Sequence, residues 1–197
     1  MLKLSLVLLA MILLGTGFSA AQTPAVKYDY PPQPSLDLMN QTDADRTVLI
    51  DGNDQSASWG TWDCKTFVID WNFAAPVRVR SLQVAIHHPV NPDTDATHPR
   101  LLQLFAAGED GQFDDEPNVT LPIPFQKGAI QRISLPVPGD GICARSLRTR
   151  FEGTNRQIVI GEVTFETQTI SDEELNAWLQ AAAAAKPDPL KPVTFLP

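Results

Sequence analysis

The stretch Val48-Leu-Ile-Asp-Gly-Asn-Asp-Gln-Ser-Ala-Ser-Trp-Gly-Thr-Trp-Asp-Cys-Lys-Thr-Phe-Val-Ile-Asp-Trp71 carries the reading of the fold. A short apolar run stops at Asp51-Gly52-Asn53, a standard turn composition. A polar loop carrying Trp59 follows, and then an alternating segment from Thr66. This order sets carbonyls and a carboxylate on a tight turn beside a buried indole. Trp59 is expected in the core.

Downstream, Val77-Arg-Val-Arg-Ser-Leu-Gln-Val-Ala-Ile86 alternates with Val77 and Val79 in one phase and Leu82, Val84 and Ile86 in the other. Period-two alternation describes a strand with one buried face. The slip at Arg80-Ser81 points to a bulge. Further strands are expected near 47–51, 66–71, 101–106, 130–135, 146–151 and 157–166. Short strands separated by Pro and Gly, with no helix between them, predict an all-β sandwich. Ser171 then opens a helix, with Glu174 completing a capping box. Leu175, Trp178 and Leu179 form its apolar stripe, and Pro187 ends it.

The flanks read differently. Lys3, the apolar run Leu4–Leu14 and Ser19-Ala20-Ala21 have the layout of a secretory signal ending before Gln22. Its apolar run is too short for the roughly 20 residues that cross a bilayer. The expected organisation is a signal peptide over 1–21, a Pro-rich lead-in over 22–46, a β-sandwich over 47–167, a helix over 168–186 and a Pro-rich tail over 187–197. Removing the signal removes Lys3 and no acid, taking the net charge from −8 to −9. That acidity argues against nucleic acid and anionic membrane as partners. The location expected is secreted or periplasmic.

An exported chain permits a disulfide between its two cysteines, Cys64 and Cys143. Such a bridge would close a loop of about 80 residues and contribute ~4 kcal/mol in the chain-entropy picture. The alternative is two unpaired buried thiols.

Four segments taken in order resemble the galactose-binding-like β-sandwich, the discoidin or coagulation factor 5/8 type C group. They are Leu49-Ile50-Asp51-Gly52-Asn53 with Trp59; Trp71-Asn72-Phe73 followed by Pro76-Val77-Arg78-Val79; Pro99-Arg100-Leu101 through Phe105 with the Gly108–Phe113 hairpin; and Ala144–Thr149 with Ile160-Gly161-Glu162-Val163. The resemblance spans about 46–167 and implies a jelly-roll sandwich. Asp70-Trp71-Asn72 departs from the Asp-Leu-Gly common in relatives. The group hosts many ligands, so the resemblance speaks more to fold than to function.

Two sites follow from it. One is a structural calcium ion held by Asp51, Asn53, Ser56 and Glu162, oxygen donors of the kind a hard cation takes; an ordinary turn is the bland alternative. The other is a glycan site on loops at one end of the sandwich, formed by His88, Asp95 and Arg100 with Trp62 as a stacking platform. Planar polar groups suit vicinal hydroxyls, and aromatic faces suit the C–H side of a sugar. All three histidines, His87, His88 and His98, lie in or beside this loop. A transition-metal site with Asp93 and Asp95 is the rival, weakened because adjacent strand residues point to opposite faces. A solvated loop without ligand is the bland reading. No Gly-x-Ser-x-Gly elbow or His-Glu-x-x-His occurs, and Asp114-Asp115-Glu116 reads as a solvated hairpin end, so no catalysis is expected. The function implied is a non-catalytic carbohydrate-binding module with no cofactor beyond calcium. The alternative is a protein-interaction domain that docks a partner through the Trp178 helix.

Overall fold

The computed structural model describes residues 25–34, 36–60, 65–88, 98–152 and 157–185. The expected signal peptide, Asp95, Trp62, Cys64 and the 187–197 tail lie outside them.

The alternating segments at 66–71 and 78–86 are parts of one long strand. The described residues form eight strands and two helices: β1 (Val26–Asp29), α1 (Leu36–Thr42), β2 (Ser58–Trp59), β3 (Thr66–His87), β4 (Leu101–Ala106), β5 (Val119–Pro122), β6 (Ile130–Pro136), β7 (Ile142–Glu152), β8 (Val159–Thr169) and α2 (Asp172–Ala185). All pairings are antiparallel. The first part of β3 lies between β1 and β7, and β7 continues to β4 and β5. Its last part lies between β6 and β8, and β8 continues to β2. β3 thus belongs to both sheets of an all-β sandwich, with a register shift between Asn72 and Val77 where it passes from one to the other.

The side-chain phases explain why. Phe67, Ile69, Trp71 and Phe73 are buried in the first half of β3, and Leu82, Val84 and Ile86 in the second. The switch of phase coincides with a second register shift between Val79 and Ser81, where the alternation slips. Trp71 lies in the core, its indole N–H donating to Thr149 Oγ1 at 3.0 Å. Trp59 is only half-buried, on the short β2. The hairpin after β4 closes with Gly108 N–H to Gln112 O at 2.8 Å, and Gly111 takes the positive φ of 76° that its turn requires.

Two departures concern the N-terminal part. Residues 47–51 form turns instead of the expected strand. The 22–46 segment is no mere extended lead-in: it contains β1, paired along Asp70–Phe73, and α1. A buried carboxylate organises both. Asp43 Oδ2 accepts from the hydroxyls of Tyr28 (2.6 Å) and Tyr30 (2.5 Å), and its Oδ1 accepts from the N–H groups of Thr47 (3.0 Å) and Val48 (3.1 Å). Leu49 N–H donates to the Tyr28 hydroxyl at 3.0 Å. The backbone donors that a strand would offer to a ladder go to side chains.

At the other end, Glu174 N–H donates to Ser171 Oγ at 3.1 Å, the N-cap half of the expected box; the Glu174 carboxylate pairs with Arg78 at 2.7 Å. α2 lays Leu175, with Trp178 and Leu179, on Cys143 and Ile170 of its own sandwich. Leu175 is buried there, while Trp178 and Leu179 stay half-buried. No helix among the described residues is long and apolar enough to cross a membrane.

Cys143 is a free, buried thiol beneath α2. Cys64, its expected disulfide partner, lies outside the described residues.

Candidate functional site

Two places gather the chemistry-bearing residues. The first is the loop after Leu49. Asp51 Oδ1 accepts from Asn53 N–H at 2.7 Å, Asn53 Oδ1 from Gln55 N–H at 3.1 Å, and Asn53 Nδ2 donates to Ser56 Oγ at 2.9 Å. Glu162 on β8 receives Gly52 N–H at 3.0 Å. Asp51, Asn53, Ser56 and Glu162 therefore form one patch. Burial, followed by the nearby Asp51 and Asp54 charges, raises the Glu162 carboxyl above its usual range, against the Gly52 hydrogen bond. Arg132 on β6 forms an ion pair with Asp54.

The loop is clamped onto the sandwich by a second contact. His87 Nε2 lies 2.8 Å from Asp54 O. A Cβ at Gly161 would stand 2.7 Å from His87 Nε2 and 3.0 Å from Ser56 O, so only glycine admits this approach.

The second place is the start of β4 with the loop after β5. His88 and His98 stack with ring centroids 5.6 Å apart, and Phe125 meets both edge-on at 5.8 and 5.4 Å. Gln131 on β6 accepts Gln126 N–H at 2.9 Å with Oε1, so its Nε2 donates across 2.7 Å to His88 Nε2. That assigns His88 as a neutral ring protonated at Nδ1. Burial, followed by the neighbouring His98 and His87 charges, lowers its pKa to about 4. His98 Nε2 lies 3.0 Å from Ile123 O, and Ile123 N–H donates to Arg100 O at 2.8 Å.

The expected glycan residues divide. Arg100 is exposed at this end of the sandwich. His88 is corrected: it is 1% exposed and braces the wall from inside, where its ring nitrogen is already bonded to Gln131. Asp95 and Trp62 lie outside the described residues. His87 and His88 serve opposite neighbours, as adjacent strand residues must. No group of three metal-capable side chains occurs among the described residues.

The residue that sequence reading missed is Phe125. Among the described residues it is the one exposed large apolar side chain, at 36%. Its signal was present in Leu121-Pro-Ile-Pro-Phe125: an aromatic directly after two prolines, in a loop that must leave the sheet.

No family model and no curated protein matches the chain. Solved structures do. Over 75% of this chain and 92% of the other, it superposes on the F5/8 type C domain of a Bacteroides fragilis protein, with a TM-score of 0.51 and 13% identity. A Streptococcus pneumoniae fucose binding module is similar at TM-score 0.43 and 12% identity, over 76% of this chain and 97% of that one. A chitosan-binding module from a Paenibacillus chitosanase/glucanase is similar at TM-score 0.47 and 11% identity, over 74% and 96%. The antiparallel strands joined through β3 around one core and the match to the Bacteroides domain establish that this chain has the galactose-binding-like β-sandwich fold of F5/8 type C domains.

Proposed function

We propose that the protein is a secreted or periplasmic, non-catalytic carbohydrate-binding module. Its glycan site lies at the end of the sandwich that carries Phe125 and Arg100. The observation that supports this is the exposed Phe125 ring, braced edge-on by two buried histidines; the exposed Arg100 belongs to the same end through its carbonyl, which accepts Ile123 N–H at 2.8 Å. An aromatic held rigid by its neighbours offers a stacking face at little entropic cost, and a guanidinium supplies planar donors for vicinal hydroxyls. The neutral His88–Gln131 bond fixes the wall behind the platform.

Calcium, in this reading, ties the Asp51–Ser56 loop to β8. The ion would use the second carboxylate oxygens of Asp51 and Glu162, and the remaining lone pairs on Asn53 Oδ1 and Ser56 Oγ, each of which already accepts one N–H. Its charge would offset the burial and the neighbouring Asp51 and Asp54 charges that raise the Glu162 carboxyl.

The test is a glycan array probed with the protein, with calcium and with chelator. Binding to a defined glycan set that drops at least about tenfold in Phe125→Ala and Arg100→Ala supports the reading. A blank array in both conditions overturns it. A thermal midpoint that ignores both calcium and chelator overturns the ion.

A further inference from the structure

A second cavity lies on a different surface, the outer face of the β3–β7–β4 sheet. It encloses about 360 Å³, and Arg148 and Arg150 lie side by side on its sheet floor. One wall is the segment Pro32-Gln33-Pro34, and the other is Asp114-Asp115 after the β4 hairpin.

Each part is held in place. The proline segment lacks N–H groups to pair with the edge of β3, and Gln33 replaces them with its side chain. Its Nε2 donates to Val68 O at 2.8 Å, and its Oε1 accepts Val68 N–H at 2.9 Å. Arg148 grips Asp70 with two parallel bonds of 2.6 and 2.8 Å, while the Phe113 ring lies 4.3 Å from its guanidinium carbon. Arg150 bonds Glu152 at 2.9 Å and leaves 41% of its side chain exposed. Each guanidinium carries five donors, more than these contacts engage.

The charges decide the ligand class. Asp114 and Asp115 repel a polyanion, and the arginine floor repels a polycation. What remains is an uncharged group rich in hydroxyls, because each hydroxyl both donates and accepts, and donors and acceptors here stand beside one another. The volume falls within the range of small-molecule sites.

We propose that this trough is a second binding site, taking one or two units of a neutral sugar. It lies on the sheet face and not on the loops of the Phe125 end. Phe105, which also lines the trough, lies five residues from Arg100, about 17 Å at strand rise, while the near edge at Thr66, opposite Glu152, comes within about two strand spacings, ~10 Å, of Arg100. The two sites together would give avidity for a glycan long enough, or dense enough, to reach both.

The experiment is an amide-shift titration of the whole protein with galactose, N-acetylglucosamine and cellobiose, and separately with a lysine oligopeptide and with a sulfated disaccharide. The expected result is saturable movement of the Thr66, Val68, Phe105 and Arg150 amides with at least one neutral sugar. Arg150→Gln and Asp115→Asn should each weaken that response at least about tenfold. Two variants, one on the floor and one on a wall, guard against one of them misfolding. Unmoved trough amides with every neutral sugar, or movement only with the charged probes, overturn the proposal. Phe125 and Arg100 amides are read in the same titration. Trough shifts without theirs sink the loop-end site alone, and theirs without the trough's sink this one alone.

Discussion

Tyr28 and Tyr30 are the only tyrosines in the chain, and both direct their hydroxyls at the buried Asp43 carboxylate. Burial, and next the hydrogen bond to Asp43, push both phenols far above their usual value of about 10. Raising the pH is therefore a selective perturbation. Above pH ~10 the unfolded chain releases two phenolic protons that the folded chain keeps. Stability that is fully present below that pH falls by about 1.4 kcal/mol per pH unit for each tyrosine, or about 2.7 for the pair. By pH ~12 the loss is about 5 kcal/mol, comparable to the whole stability of a small domain. The assay is tyrosinate absorbance followed together with tryptophan fluorescence, in a Cys143→Ala background because the buried thiol is also shifted upward. The two signals should change in one cooperative step well above pH 10, and urea unfolding at stepped pH should give the slope. Tyr28→Phe or Tyr30→Phe should halve it. A smooth tyrosinate titration centred near pH 10, with the tryptophan signal still native, would refute the Asp43 network.

Three further outcomes are expected. Gly161→Ala should destabilise by ~1–3 kcal/mol in urea unfolding, because its Cβ meets the Ser56 carbonyl and the His87 ring; an unchanged midpoint would mean that the 51–56 loop does not rest there. His88 takes a proton in the unfolded chain below pH ~6.5 but in the folded chain only near pH 4, so stability present at neutral pH should fall by roughly 3 kcal/mol across that window. His88→Asn should flatten this acid limb, and parallel limbs in the two proteins would count against the buried ring. The Cys143 thiol should react with a disulfide reagent only as fast as the protein unfolds, and a Cys64–Cys143 peptide in a non-reducing digest would contradict its free state.

What could be read in the sequence was whatever local pattern controls. The alternation of Phe67, Ile69 and Trp71, the slip near Ser81, the Gly108–Phe113 turn and the Ser171 cap each act through neighbouring residues, and each appears where expected. The misreadings arise where a distant residue decides. Val48-Leu49-Ile50 has strand composition, but Asp43 takes the Val48 N–H, Tyr28 that of Leu49 and the Thr47 carbonyl that of Ile50, and Leu49 is buried without a ladder. The four residues of β1 carry too little pattern to stand out among prolines. The histidine-rich loop looked like a polar rim, yet His88 and His98 supply packing and Phe125 supplies the exposed ring. Polarity in a loop does not tell which side chains turn inward. For the Asp51 loop, the turn chemistry and the partnership with Glu162 were both legible.

β3 has a consequence for how the molecule comes into being. Its neighbours extend from Val26 near the start of the described chain to Thr169 near its end. A ribosome delivers β3 long before β6, β7 and β8, so much of a 22-residue apolar strand stays unmatched while the rest is made. Neither sheet can close early, because both wait for the same strand to be flanked. Folding should then be all-or-none and slow for the size of the domain, gated by its last strands. Until those strands arrive, the nascent chain presents an open edge to any other strand that passes.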